Sequence, residues 1–459
     1  MSIRQSKGDE AMANFVEVAE RFGKDPAPQV REQVAIALLN KGILLGEQGR
    51  VQEELDSYRE VLHRFGADGV PAVREKVVFA LANLGVALRQ GGKANEALET
   101  YRDMVERYGR DSAPSVREQV AKALVNQAMV LVELGRIDEG ASSYKEVVER
   151  FGSDDAPLVR EKVACALSNL GMAFSHQGRS DEALLAYRDL VQRFVLDGDP
   201  GVREQVAEAM INKGSVLLAQ GRTDDALISF REVVERFAND QAPGMLQHVA
   251  KAQVEIGNAC MQKGRPGEAI ANYLNIVVRL GHDALGGRRY VAMALIKLGV
   301  ALSEKGQLDM AVASFREAVH RFGSDGALEV REQVAEALLK MGLALERQGR
   351  ASEAMAAYTD IAARFGKDTD ASLRAQVATA LVSKGLVLIG QLRSQVEMAR
   401  FVEAARRFGQ DEIESARMQA GVAQGHRGAR GDETPAMDAR PQNRDVLDRS
   451  AGTPTALNG

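Results

Sequence analysis

The stretch PSVREQVAKALVNQAMVLVELGRIDEGASSYKEVVERFGSD, from Pro114 to Asp154, decides the fold because it returns with small changes every 43 positions. A residue near its end, an aromatic that follows an arginine, recurs in the same register. These aromatics are Phe22, Phe65, Tyr108, Phe151, Phe194, Phe237, Phe322, Phe365 and Phe408, and Leu280 fills the one gap. Self-similarity at a fixed period is typical of proteins in which each unit stacks on the next. The pattern therefore predicts an array of stacked units that exposes a large surface.

Each unit contains the signals of two helices. Val120 and Leu124 belong to a stripe of apolar residues spaced three and four apart, which is typical of an amphipathic helix. Pro114 suits the first turn of that helix, where a backbone donor has no partner. Gly135 favours a left-handed cap at its end. A second helix is predicted over about residues 137–150, so each unit is a helical hairpin.

Small residues and an aspartate recur at fixed places in the unit. Ala123 has an alanine counterpart in all nine copies, and a glycine follows five residues later in every copy except at Ala128. These small residues predict close helix packing, with the large aromatic of the second helix beside them. Asp154 recurs in all ten loops, and ten equivalent loops cannot form one active site, so we interpret it as an Asx-turn. Glu54 and Glu397 break the pattern, because they replace a small residue of the second helix.

These positions resemble the tetratricopeptide repeat. Leu81, Gly85, Leu88, Ala97 and Tyr101 stand where its motif places large, small, large, small and aromatic residues. In the following unit the small positions hold Ala128 for glycine and Gly140 for alanine. The standard repeat has about 34 residues, so each unit here is longer, as in kinesin light chain and related bacterial proteins. The extra residues lie in the loop and at the start of the first helix.

The resemblance implies an all-α fold, a right-handed solenoid of stacked antiparallel hairpins that docks peptides on a concave wall lined by the first helices. We expect an N-terminal half-repeat helix over 1–27, nine tandem hairpins over 28–411, and a short capping helix followed by a disordered tail over 412–459. A deletion and the loss of the helix-starting proline predict a local change of superhelical curvature near residue 285.

Composition narrows the function classes. The net charge of -5 argues against a general nucleic-acid binder, which needs a basic face. No apolar run approaches the ~20 residues that cross a bilayer, and no secretory signal opens the chain, so we expect no membrane partner. Two cysteines without metal-ligand spacing favour a reducing, cytoplasmic location. Because no catalytic, metal-binding or cofactor-binding motif was found, we predict a protein that is not an enzyme and uses no cofactor.

Two sets of polar residues on the first helices are candidate partner-binding sites. The first is a row of amides that could bind an extended peptide backbone, or could instead bridge adjacent helices. The second is an irregular polar cluster in units six and seven, which could supply selectivity or reflect drift. The amides are Asn83, Asn126, Asn169 and Asn212, and the cluster is Lys251, Glu255, Asn258, Gln262 and Lys297.

The sequence therefore predicts a scaffold that binds a protein or peptide segment, with its oligomeric state open. The alternative is a regulatory or sensor arm of a signalling NTPase or of a transcription-regulator system. The two hypotheses differ in the identity of the partner, which the sequence does not name.

Overall fold

The computed structural model describes residues 3–281 and 287–393, together with residues 395, 396, 398 and 399. The chain divides into two compact units, Met1–Val377 and Ala378–Gly459. The described residues form eighteen helices and no strand, so the all-α solenoid predicted from the sequence is confirmed.

The helices alternate between first helices, mostly of 20 residues, and second helices of 15. The first helices are α2 (Pro28–Glu47), α4 (Pro71–Gln90), α6 (Pro114–Glu133), α8 (Pro157–His176), α10 (Pro200–Ala219), α12 (Pro243–Gln262), α14 (Arg288–Glu304) and α16 (Leu328–Arg347). The second helices are α3 (Val51–Phe65), α5 (Ala94–Tyr108), α7 (Ile137–Phe151), α9 (Ser180–Phe194), α11 (Thr223–Phe237), α13 (Pro266–Leu280), α15 (Leu308–Phe322) and α17 (Ala351–Phe365). The array opens with α1 (Ile3–Arg21), and the last described helix is α18 (Ala371–Arg393).

The predicted start and end signals of the first helices are confirmed. Proline occupies the first turn of α2, α4, α6, α8, α10 and α12, after an extended residue such as Ala113. Gly135 has a φ of 74°, which strains any residue with a Cβ atom, and the Arg136 amide then donates to the Leu131 carbonyl at 2.8 Å. This bond is that of a Schellman cap, and it turns the chain into the second helix.

An arginine and an aspartate join each hairpin to the next. The Asp154 carboxylate accepts the Ala156 amide at 2.9 Å, which is the predicted Asx-turn, and it also accepts Arg117 of the preceding first helix at 2.8 Å. Burial acts to raise the pKa of Asp154, but the Ala156 amide and Arg117 together hold that pKa below its usual value. The equivalent pairs are Arg31–Asp68, Arg74–Asp111, Arg160–Asp197, Arg203–Asp240, Arg288–Asp325 and Arg331–Asp368.

The core of each hairpin is an aromatic ring packed on a glycine. Tyr101 of α5 is fully buried, and a Cβ atom on Gly85 of α4 would overlap its ring. In the third unit the two small residues are exchanged. Alanine (Ala128) stands at the usual glycine position of the first helix, and glycine (Gly140) stands at the usual alanine position of α7, above the backbone of Ala128. A Cβ atom on Gly140 would lie 3.0 Å from the Ala128 carbonyl oxygen and 2.8 Å from Val132. Glycine thus stands wherever the two helices of a hairpin approach most closely.

The two layers of the array differ in how tightly their helices pack. Each first helix packs against the first helices on either side of it, whereas the backbones of adjacent second helices stay further apart. Adjacent second helices are linked by long side chains, as in the Arg59–Glu96 ion pair at 3.1 Å. The more tightly packed layer must lie on the inner side of any curvature, so the first helices form the inner layer within Met1–Val377.

The array is irregular between α12 and α14. The first helix α14 has 17 residues instead of 20 and begins without a proline. The α12–α14 contact is the smallest between adjacent first helices, and Leu246 replaces the arginine that would pair with the next loop. Asp283 and the rest of residues 282–286 lie outside the described residues. The change of curvature near residue 285 therefore stays a prediction.

The last described helix repeats the pattern of the first helices. Leu381 and Leu388 of α18 occupy the register of Leu38 and Leu45, which are buried in α2, but they are 51% and 43% exposed. Among the described residues, α18 is the one helix long and apolar enough, by length and composition alone, to cross a membrane. The predicted second helix of the ninth unit is described at residues 395, 396, 398 and 399 alone, and the predicted capping helix and tail lie beyond the described residues.

We expect Gly171→Ala to destabilise one hairpin. Its new Cβ atom would overlap the buried Tyr187 ring, and overpacking of this kind costs about 1–3 kcal/mol. Because each unit contacts only its neighbours, hydrogen exchange should rise in α8 and α9 and stay unchanged in α2, α3, α16 and α17. Gly198→Ala is the control, since no atom lies within 4 Å of its Cβ position. Loss of protection along the whole array would contradict this prediction.

Candidate functional site: the face of the first helices

Each first helix has one side that does not pack into the core of its hairpin. In α6 this face consists of Lys122, Asn126, Met129 and Glu133, whose spacing of four, three and four residues places them on one side of the helix. The first three are half-buried and Glu133 is exposed, while most of the positions between them, such as Leu124, are buried. We call the equivalent residues of α2 to α16 the first-helix face.

The first-helix face changes character along the array. Its first half, on α2 to α8, is mainly apolar beside the asparagines, whereas its second half, on α10 to α16, carries charges of both signs. The apolar residues are Ile36, Ile43, Phe79, Val86, Met129 and Met172, all half-buried or exposed. The charged residues are Glu208, Lys251, Glu255, Lys297, Glu336 and Lys340, all half-buried.

The predicted asparagine row lies on this face, and its amides also act on the helices behind it. Asn169 of α8 lies beside Tyr144 of the preceding hairpin and donates to the Cys165 sulfur at 3.5 Å, and Asn212 of α10 lies beside Tyr187. Burial raises the pKa of both tyrosines, and the amides oppose that rise. Bridging of adjacent helices and binding of a peptide backbone, the two readings left open by the sequence, both stay predictions. Because these asparagines remain half-buried, the face retains part of each amide at its surface.

The other two asparagines of the row contribute less to the scaffold. Burial raises the pKa of Tyr101 to about 12, and the nearby Asn126 amide opposes this rise. The Tyr101 hydroxyl has no hydrogen-bond partner among the described residues, so Asn126 lies outside normal hydrogen-bond geometry. Asn83 is half-buried, and the tyrosine of the preceding hairpin, Tyr58, interacts with Glu54 instead.

Glu54 is explained by its contact with that tyrosine. Its carboxylate lies over Gly46, where a Cβ atom would approach it to 2.8 Å, and its charge acts on Tyr58, one turn later in α3. Burial first, and then the charge of Glu54, raise the pKa of Tyr58. The sequence marked Glu54 as a departure, and Gly46 was the signal that a larger side chain is accommodated there.

The predicted cluster of units six and seven is only partly free to bind. The Asn258 side chain donates to Glu255 at 3.4 Å and accepts the Tyr273 hydroxyl at 3.1 Å, so its amide is used within the scaffold. Gln262 is exposed at the end of α12. Lys297 of α14 is half-buried and makes no ion pair or hydrogen bond among the described residues. Lys251 and Lys297 are therefore the cations of this cluster that remain available.

Sequence reasoning missed a histidine beside this cluster. His248 of α12 is half-buried next to Lys251 and near Glu208 and Glu204 of α10. Burial lowers the pKa of His248, and Lys251 lowers it further, whereas the two glutamates oppose the shift. The signal was the loss of the repeated Arg-Glu-Gln sequence at Leu246, Gln247 and His248.

The described residues were compared with the side-chain groupings of metal sites and reactive cysteines. No three histidine, cysteine or carboxylate side chains among them are grouped as metal ligands would be. Burial raises the pKa of the Cys165 and Cys260 thiols, whereas a reactive cysteine requires a lowered pKa. Apolar contact, amide hydrogen bonds and charges of both signs are the interactions that this face provides.

Comparison with known proteins identifies the repeat. Family models described as tetratricopeptide repeat match residues 79–110, 163–239, 211–284 and 296–369. No curated protein matches the chain.

Solved structures with similar folds share little sequence with the chain. The apo form of RapI is 12% identical, covers 77% of this chain and 93% of its own, and gives a TM-score of 0.50. A signal transduction ATPase with a tetratricopeptide repeat sensor from Pyrococcus horikoshii is 11% identical. The match covers 85% of this chain and 55% of the ATPase, with a TM-score of 0.44. A tetratricopeptide repeat protein from Parabacteroides merdae is 15% identical. The match covers 66% of this chain and 98% of that protein, with a TM-score of 0.36.

The family models recur in the register counted from the sequence, and each matched segment is built from the stacked hairpins described above. The chain belongs to the tetratricopeptide repeat family.

Proposed function

We propose that this protein is a non-catalytic scaffold that binds a segment of another protein along the first-helix face. Tetratricopeptide repeats are protein-interaction modules in general. The observation that carries the proposal here is the continuous row of half-buried apolar side chains and amides on α2 to α8. Side chains such as Phe79 and Met129 are only partly covered by the scaffold, so a bound segment would bury them further.

The chemistry of the face suggests the kind of segment it binds. Met129 and Met172 are unbranched and adapt to different apolar partners. The amides of Asn83 and Asn126, which the scaffold uses little, can both donate to and accept from a peptide backbone. We therefore propose that an extended segment with apolar side chains lies across α4 to α8. The alternating charges on α10 to α16, including Lys251 and Lys297, would bind a polar continuation and fix its direction.

We expect the partner to contact α6 on this face only. A photo-crosslinking amino acid at Met129 should trap a protein in the native host, because that side chain is half-buried on the first-helix face. The matched control is the same amino acid at Ser142, which is exposed on the second helix of the same hairpin. The trapped protein would be identified by mass spectrometry. Equal trapping from both positions would place binding elsewhere and refute the proposal.

The same experiment tests the alternative function. A trapped signalling NTPase or DNA-binding regulator would identify the array as a sensor arm, whereas a partner of another class would support an independent scaffold. Met129→Arg should then weaken binding of the purified partner at least tenfold and leave helicity unchanged, since apolar contact is replaced by an unpaired charge.

We expect two residues of the predicted cluster to behave in opposite ways. Asn258→Ala leaves the buried Tyr273 hydroxyl without its acceptor, which should lower the free energy of unfolding by about 1–3 kcal/mol. Lys297→Ala breaks no hydrogen bond or ion pair among the described residues, so stability should stay the same while partner binding weakens. Denaturant unfolding and titration with the partner separate the effects, and Lys24→Ala, in the exposed loop between α1 and α2, is the control for both. A destabilised Lys297→Ala would show that this lysine serves the scaffold.

A further inference from the structure

The outward face of one second helix carries no charge. In α13 the outward positions are Gly267, Ala271, Leu274, Asn275 and Val278, and all five are exposed. The same positions of α7 hold Asp138, Ser142, Lys145, Glu146 and Glu149. Each of the other second helices from α3 to α17 carries at least one ionisable side chain at these places, although α17 has only Asp360. The outward face of α13 is thus the exception among the described second helices.

The departure affects both partners of a repeated ion pair. An arginine at the position of Leu274 pairs with a glutamate of the next second helix, as in Arg59–Glu96 at 3.1 Å and Arg231–Glu268 at 3.5 Å. Arg316 and Glu353 approach to 4.0 Å in the same register. Between α13 and α15, the arginine position holds Leu274 and the glutamate position holds Met310. An ion pair that links α3 to α5, α11 to α13 and α15 to α17 is replaced between α13 and α15, on both sides, by apolar side chains.

These replacements create an exposed apolar surface across three neighbouring second helices. Leu274 is 45% exposed, Val278 81% and Met310 57%, and Ile228 of α11 is 63% exposed. We call these four residues the outer apolar patch. The patch lies on the layer opposite the first-helix face, so binding of a segment there would not cover it. Leu274 and Met310 occupy the two positions that an ion pair joins at other junctions, and exposed apolar patches of this kind can mark interaction sites on soluble proteins.

The pattern along α13 indicates what covers the patch. Gly267, Ala271, Leu274 and Val278 follow one another at spacings of four, three and four residues, which is the seam of a two-helix coiled coil. The outward-facing neighbour of that seam, Asn275, is uncharged, so an identical helix could pack there without opposing like charges. A two-fold axis would place this uncharged face against itself, leaving the Arg231–Glu268 and Arg316–Glu353 pairs at the rim.

We propose that the outer apolar patch is a self-association surface, on which α13 packs antiparallel to α13 of a second copy of this chain. The helix has 15 residues and is therefore about 22 Å long, which accommodates about two heptads. A seam of one helix buries less than the roughly 800 Å² per partner of a standard interface. The dimer therefore dissociates on dilution, with a dissociation constant on the order of 10 µM or weaker.

The test restores the repeated ion pair. The double variant Leu274→Arg, Met310→Glu reproduces the pairing of Arg231 with Glu268, so it should fold normally and sediment as a monomer at every concentration. The full-length wild-type chain should change from 49.7 kDa towards twice that mass as its concentration rises to several hundred micromolar. Sedimentation equilibrium measures both. Leu158→Arg, which charges an exposed leucine of α8, is the matched control and should dimerise like the wild type.

A second variant locates the contact. Asn275→Cys should form a disulfide between copies under mild oxidation, whereas Ser142→Cys on α7 should not, and peptide mapping would identify the 275–275 link. A wild-type chain that stays monomeric throughout the concentration range would overturn the proposal. So would a double variant that still dimerises with unchanged affinity, or links that join residue 275 to other positions only.

Discussion

The structure depends on one contact, an aromatic ring of each second helix seated on the bare backbone of a glycine in the first. Tyr187 is fully buried over Gly171, and the same arrangement recurs along the array with tyrosine or phenylalanine. In the hairpins that have this glycine, the ring sets the distance between the two helices, because a Cβ atom added to the glycine would overlap the ring. Apolar burial then stabilises each hairpin against its neighbours. In the third unit Ala128 replaces the glycine of the first helix and Gly140 replaces the alanine of the second helix. The space between the two helices can therefore be kept open by a glycine on either of them.

The joints between hairpins are electrostatic, and they are weaker than the packing they orient. Each Arg–Asp pair is partly exposed to solvent, and such pairs contribute up to about 1 kcal/mol. Their importance is geometric, since the same aspartate fixes its own loop and receives the arginine of the preceding first helix. Where Leu246 replaces that arginine, the helix α14 is shorter and its contact with α12 is the smallest in its layer. The sequence irregularity and the structural one coincide.

The hairpins, their caps and their aromatic–glycine contacts could be predicted from the sequence because each depends on residues close together within one period. Contacts between periods were harder. The asparagine row was recognised, but its proximity to tyrosines of the preceding hairpin involves residues 25 positions apart, as Asn169 and Tyr144 are. Glu54 was noticed and not explained, since its partners Gly46 and Tyr58 lie on two helices. Which amides the scaffold already uses, as at Asn258, follows only from the three-dimensional arrangement.

The spacing of the Arg–Asp joints has a consequence for how such a chain can change in length. Each arginine reaches an aspartate 37 residues ahead, and this offset is the same at Arg31, Arg117 and Arg331. Duplication or loss of a whole 43-residue unit leaves every such offset intact, whereas adding or removing one residue between an arginine and its aspartate changes it. A change of one residue keeps the offset only between an aspartate and the next arginine, and the one deletion in the array lies there, before Arg288.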